Sequence, residues 1–279
     1  MAVNTVDPLR NGTTEVTDRF LSPAIWADFP VAEVTENPSR GFFFFDDFNN
    51  QPDVAAGAQA LYGNYKGFAS TGGAVANVAA VVGGQKVFSS DGDNEGASLG
   101  QAAFPVMINR SQKLTCYECR VKFSSIADTN SGGFLGLLDD ATLSATVPIA
   151  AAGTLADENF VGFHRLEGDG DKLDIVYKAD GVTQVTLLAD AVTLVADTFV
   201  KIGLRFEPTN SIGNYYVRFF ANNVELVPTA GRYQIPSAQG TDFPNDVALG
   251  LVAAILNATG SSPGTMTVDW WALGQMYDF

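Results

Sequence analysis

The stretch NFVGFHRLEGDGDKLDIVYKADGVTQVTLLA (159–189) decides the fold. Three runs of alternating apolar residues are separated by two glycine turns, Gly168-Asp169-Gly170-Asp171 and Asp180-Gly181. Asp-Gly between alternating runs is a strong hairpin signal, because both residue types tolerate the positive φ of a type I′ turn. Strands joined by tight turns must run antiparallel, since a parallel pair needs a long crossover. The segment therefore predicts a three-strand antiparallel meander.

Working outward, the same texture continues from Gly41 to the C-terminus. GFFFFDDF (41–48), VANVAAVV (75–82), KVFSS (86–90), SLGQAAF (98–104), LTCYECRVKFSSI (114–126) and GFLGLLD (133–139) read as strands. FVKIGLRFE (199–207), YYVRFFANN (215–223), VELV (224–227), DVALGLVAAIL (246–256) and TMTVDWWALGQM (265–276) follow. Asn222-Asn223 marks a further tight turn. No stretch carries a capped 3.6-residue period, apart from one helical turn expected at TLADENF (154–160). A dozen short strands at this spacing predict an all-β, two-sheet antiparallel β-sandwich of jelly-roll type. The first and last apolar strands are expected side by side.

Residues 1–40 differ. Pro8, Pro23, Pro30 and Pro38 break them up, and no period is sustained. They read as an extended N-terminal arm preceding a jelly-roll domain at 41–279. Phe20, Leu21, Ile25, Trp26 and Phe29 are its large apolar side chains, the expected anchors for docking on its own domain, on a shell or on a neighbouring subunit.

The 279 residues hold 16 Lys plus Arg against 31 Asp plus Glu, a net charge of −15. Such a surface repels phosphate backbones and argues against nucleic-acid binding. The start, MAVNTVDPLRNGTTEV, has neither the basic nor the apolar region of a signal peptide. The apolar run VALGLVAAIL (247–256) falls well short of the roughly 18–20 residues of a membrane span. A cytosolic compartment, or an assembly built there, is the expected location, with no membrane partner.

Candidate chemistry is sparse. His164 is the single histidine, and it alternates with Phe160, Gly162 and Leu166, the pattern of a packed strand residue. Glu167, Asp169, Asp171 and Asp174 form a carboxylate cluster, but turn aspartates commonly hydrogen-bond their own backbone, so they read as scaffold. Asp91, Asp93 and Glu95 in DGDNEG place oxygen ligands at alternating positions like part of a calcium loop. Ala102 stands where the late bidentate Glu belongs, so a solvated acidic turn is the first reading and calcium the alternative. Cys116 and Cys119 lie three apart in a strand and so face opposite sides, which suits neither a disulfide nor a shared metal. Trp270 and Trp271 are adjacent, so one must face away from the core. With Tyr215 they are the candidate aromatics for a sugar or an interface, and an outward Trp can equally pack under the arm or a loop. No cofactor is called for.

The stretches CYECRVKFSS, GFLGLLDD, NFVGFHRLEGDGDKLDIVYKADG, FVKIGLRFEP, YYVRFFANNVEL and TMTVDWWALGQ resemble the concanavalin-A-like lectin/glucanase superfamily. The resemblance covers about residues 41–279 and implies a two-sheet jelly roll. Its hydrolases carry a Glu-x-Asp-x-(x)-Glu strand. Here Glu167-Gly-Asp169-Gly-Asp171 puts glycines where strand residues belong and Asp in place of the last Glu, so no catalytic residue carries over. The chain as a whole is similar to bacteriophage structural proteins. These likenesses imply a non-enzymatic virion protein: a homo-oligomeric capsid decoration or head appendage protein, bound to the major capsid protein through its arm. The alternative is a carbohydrate-binding, lectin-like module with a glycan partner.

Overall fold

A computed structural model describes residues 19–49, 51, 53–79, 81, 83–103, 105–108, 114–127, 131–139, 143, 147–149, 155–166, 168–208, 215–234, 242–245, 247–257 and 263–277. Two short helices, α1 (Pro23–Trp26) and α2 (Val31–Glu36), precede β1 (Gly41–Asp46). There follow β2 (Gln59–Tyr62), β3 (Tyr65–Ala69), β4 (Gly73–Asn77), β5 (Lys86–Ser90), β6 (Glu95–Gln101), β7 (Val106–Met107), β8 (Thr115–Phe123) and β9 (Gly132–Leu138). The meander is β10 (Phe160–Arg165), β11 (Lys172–Lys178) and β12 (Val185–Thr193). The chain closes with β13 (Val200–Pro208), β14 (Tyr215–Ala221), β15 (Val224–Leu226), β16 (Tyr233–Gln234), β17 (Ala248–Asn257) and β18 (Gly264–Met276).

The strands form two antiparallel sheets that pack face to face as a concanavalin-A-like jelly roll. Sheet A runs β15-β14-β13-β8-β18-β5-β4, with β1 added on β18 and β16 on β14. Sheet B runs β12-β11-β10-β9-β17-β6-β3-β2, with β7 on β17. The expected pairing of first and last strands is present: β1 lies antiparallel to β18, Gly41 opposite Met276. Strand alternation sends Tyr117, Cys119, Val121 and Phe123 of β8 and Leu135, Leu137, Val161 and Phe163 of sheet B into one shared core. No helix among the described residues is long and apolar enough to cross a membrane.

Turn chemistry departs from expectation in one place. Asn222 and Asn223 both take positive φ (48° and 67°), as a type I′ turn requires. At Asp180-Gly181 only Gly181 does (75°), so this turn is not type I′. Its backbone is instead tied down from across the sheet: Asp180 N–H donates to Asn159 Oδ1 and Gly181 N–H to Asp157 Oδ1. Residues 155–159 form no helical turn, and β2 and β3 occupy a Gly/Ala-rich region whose pattern is too weak to read.

The arm from residue 19 onward is not an extended, fold-less segment. Pro23 sits at the first turn of α1, where its fixed φ suits a helix start. Ile25, Trp26 and Phe29 are buried on the outer face of sheet A with Cys116, Phe220, Trp270 and Ala272. Burial contributes about 1.5–3 kcal/mol for each large apolar side chain. This corrects the expectation that these three serve as anchors for a shell: the chain buries them itself. Leu21 is partly buried against the same cluster, and Phe20 alone of the five stays well exposed, at 61%.

Candidate functional site

The outer face of sheet B, at the β10–β11 turn, gathers most of the unusual chemistry. Strand alternation puts Val161 and Phe163 into the core and Phe160 and His164 on the opposite face. His164 is the direct cross-strand partner of Asp174 on β11 and of Phe134 on β9, and both His164 and Asp174 are buried. Gly168 (φ 85°) and Gly170 (φ 27°) turn the chain so that Asp169 comes back over this face.

The third carboxylate comes from an irregularity. The β11–β12 ladder shifts register between Leu173 and Val176, and Asp190 takes φ 53°. A bulge of this kind re-aims a side chain. Asp190 N–H donates to Asp174 Oδ1 at 2.8 Å. As a result one carboxylate oxygen from each of Asp169, Asp174 and Asp190 lies within 4.8 Å of the others, the one such group among the described residues. Burial pushes the Asp174 carboxyl above the usual carboxylate range, and the neighbouring Asp169 and Asp190 charges add to it. The Asp190 N–H opposes the shift. Asp190 is exposed and Asp169 half-buried, so two of the three acceptors reach solvent. Such a set accepts hydrogen bonds from vicinal hydroxyls or an ammonium group, and its oxygens could ligate a hard cation.

Beside this cluster two glycines face each other across the β9–β10 pair. Gly136 and Gly162 are cross-strand partners, and a Cβ on Gly162 would meet Leu135 O at 2.5 Å and the Phe134 ring at 3.1 Å. The Phe134 ring packs against the glycine pair, with Phe160 edge-on to it at 5.6 Å. Leu143, Val147, Ile149 and Leu155 cover the far side of the same apolar patch.

The other sequence candidates go elsewhere. Glu95 Oε2 accepts from Gly72 N–H at 3.0 Å, and the Ser70 hydroxyl with that N–H holds its carboxyl low. The Glu95 carboxylate thus ties down the neighbouring turn between β3 and β4, and Asp91, Asp93 and Glu95 form no ligand group among the described residues. Trp271 faces the core, while Trp270 faces outward yet is fully buried beneath Phe45 and the arm. Neither is therefore available as a sugar platform. Tyr215 begins β14 opposite Pro208, and its side chain, like all of Glu167, lies outside the described residues. Cys116 and Cys119 are free, buried and on opposite faces. The sequence placed Asp169 and Asp174 near each other but as turn scaffold. It missed Asp190, whose one signal is a charge interrupting the apolar run VTLLADAVT.

No family model and no curated protein matches the sequence. Solved structures do match the fold. A protein of unknown function from Shewanella oneidensis MR-1 superposes with TM-score 0.52 at 10% identity, over 94% of this chain and 97% of its own. The endo-β-1,4-glucuronan lyase of the fungus Trichoderma reesei gives 0.50 at 11%, over 86% and 96%. The endo-1,3-β-glucanase of Streptomyces sioyaensis gives 0.52 at 11%, over 84% and 96%. Identities this low show a shared fold alone. They also correct the expectation of a non-enzymatic protein, because two of these three chains are enzymes built on the same scaffold.

Proposed function

We propose that this chain recognises carbohydrate on the outer face of sheet B. The observation that carries the proposal is the convergence of Asp169, Asp174 and Asp190 beside His164, with two carboxylates open to solvent. Carboxylates that converge from a turn, a strand and a bulge offer acceptors at fixed spacing, which suits the vicinal hydroxyls of a sugar ring. Three like charges disfavour a polyuronate and favour neutral or amino sugars. The scaffold's use by enzymes that act on polysaccharides supports the class of ligand. Docking on a capsid through the arm is not carried forward, since Ile25, Trp26 and Phe29 are already buried within the chain.

The test is a glycan array followed by titration calorimetry with neutral, amino-sugar and uronate oligosaccharides. The wild type binds a neutral or amino-sugar chain, and Asp169→Asn with Asp190→Asn weakens that binding at least about tenfold, the cost of roughly one lost charged hydrogen bond. Absence of any hit, or hits that survive the double substitution unchanged, defeats the proposal. Chromatography of the same mixtures reports whether a bound chain is also cut.

A further inference from the structure

We propose that residues 20–29 form a displaceable strap over the outer face of sheet A, latched by Glu118. The strap is held by groups from two strands and a turn. Ser22 N–H and Trp26 Nε1–H both donate to Glu118 Oε2 of β8, each at 2.9 Å. Lys201 Nζ of β13 donates to Phe20 O at 3.1 Å. Arg205 of β13 donates to Ile25 O and pairs with Asp28, both at 3.0 Å, and Cys116 Sγ donates to Ile25 O. Asn223, in the turn after β14, accepts from Ala24 N–H at 2.8 Å. Glycines cut seats for the apolar side chains: a Cβ on Gly274 would strike the Phe29 ring at 2.5 Å, and one on Gly203 would strike Ile25 Cδ1 at 2.7 Å.

The docked state is fitted yet costly. Glu118 is fully buried, and its Oε1 finds no hydrogen-bond partner among the described residues, nor does Trp270 Nε1 on the neighbouring strand β18. A buried polar atom without a partner disfavours the state that buries it. Helices of four and six residues have no stability of their own, so the segment holds its shape through docking and loses it on release. Opening would uncover Glu118, Cys116 and Arg205 together.

The latch is protonation of Glu118. Its cross-strand neighbours are Gly203 on β13 and Ala272 on β18, neither titratable. The charged group that acts on it is Lys201 of β13, which with the Ser22 and Trp26 donors favours the carboxylate, while burial, the largest influence, favours the acid and prevails. Along the same faces stand Cys116 and Arg120 of β8, Arg205 of β13 and Asp28 of the strap. The closed state thus holds its proton more tightly than the open one. Closure is strongest below the ordinary glutamate range and weakens as pH rises through the buried value.

Cys116 and Cys119 supply the readout, because the strap covers the first while the inter-sheet core holds the second. The full-length chain is labelled with a thiol reagent from about pH 4 to pH 9, each cysteine is read by peptide mass spectrometry, and rates are divided by those of the urea-unfolded chain. The expected result is that Cys116 labels at least about tenfold faster than Cys119. Its normalised rate rises by up to roughly tenfold per pH unit across the window between the open and closed Glu118 values. Glu118→Gln flattens that slope, and Gly274→Ala, which displaces Phe29, raises Cys116 labelling at every pH. Equal normalised rates at the two cysteines in the wild type mean that only global unfolding reaches Cys116, and overturn the strap. A slope that persists in Glu118→Gln overturns the latch.

Discussion

Trp271 Nε1 donates a 3.0 Å hydrogen bond to the Tyr65 hydroxyl, and the two rings stack with centroids 5.7 Å apart. The pair joins β18 of sheet A to β3 of sheet B across 206 positions of sequence. Tyr65 passes the interaction on, its hydroxyl donating to Asp46 Oδ2 at 2.6 Å. Burial beside the Asp46 charge raises the Tyr65 hydroxyl far above its ordinary range, so it remains a donor throughout the physiological pH range.

Tyr65→Phe keeps the ring and removes only this relay. It leaves the buried Trp271 N–H without an acceptor, at a cost of about 1–3 kcal/mol. Urea unfolding followed by tryptophan fluorescence should show a lower midpoint with an unchanged slope. An unchanged midpoint means the hydroxyl is not coupling the sheets.

Asp174 makes the candidate site sensitive to pH in a defined direction. Its carboxyl is raised in the folded chain, so its stabilising contribution is fully present below the ordinary aspartate range and lost as pH rises through the folded value. Asp174→Asn keeps an acceptor for Asp190 N–H and removes the charge. The variant should gain stability over wild type near pH 7 and lose that gain near pH 3. Equilibrium unfolding at the two pH values checks the sign.

Glu225 acts in the opposite sense. Arg218 and then Arg232 hold its carboxyl down to about 2, against partial burial. Both guanidiniums bond to it, Arg218 Nη2 at 2.7 Å and Arg232 Nε at 2.7 Å. Its contribution is present above the ordinary glutamate range, near 4.5, and fades as pH falls toward about 2. Glu225→Gln should therefore destabilise at neutral pH and converge with the wild type in acid. Thermal melts across that range read the difference.

The packing of Phe134 against the Gly136–Gly162 pair is also testable. A methyl at Gly162 meets a backbone oxygen at 2.5 Å and the facing Gly136 Cα at 2.8 Å, which only backbone movement relieves. Gly162→Ala should cost about 1–3 kcal/mol by overpacking. Gly181→Ala, with open space around its Cβ but φ at 75°, should cost roughly 1 kcal/mol of backbone strain alone. The ordering of the two denaturation midpoints is the check.

The carboxylate site shows where sequence reading stops. Asp169 and Asp174 are visible as a pair because five positions and a glycine turn separate them. Asp190 joins them only because β12 bulges against β11, and a bulge depends on how two strands pair. His164 was legible as a packed strand residue, and it is one. Its proximity to Asp174 follows from the register of the β10–β11 hairpin, closed by the glycine turn at Gly168 and Gly170.

By itself the sequence determined most of the strands, their antiparallel order in the meander and the alternation of faces along each strand. These follow from period-2 alternation and from residues that tolerate positive φ, both local properties. Tertiary structure alone decided what covers each face. The arm's apolar residues read equally well as anchors for a partner until Glu118, Lys201 and Arg205, some 90 to 180 positions away, are seen holding them. Burial and the pairing of polar groups are set by which distant segments meet, and no local pattern encodes that meeting.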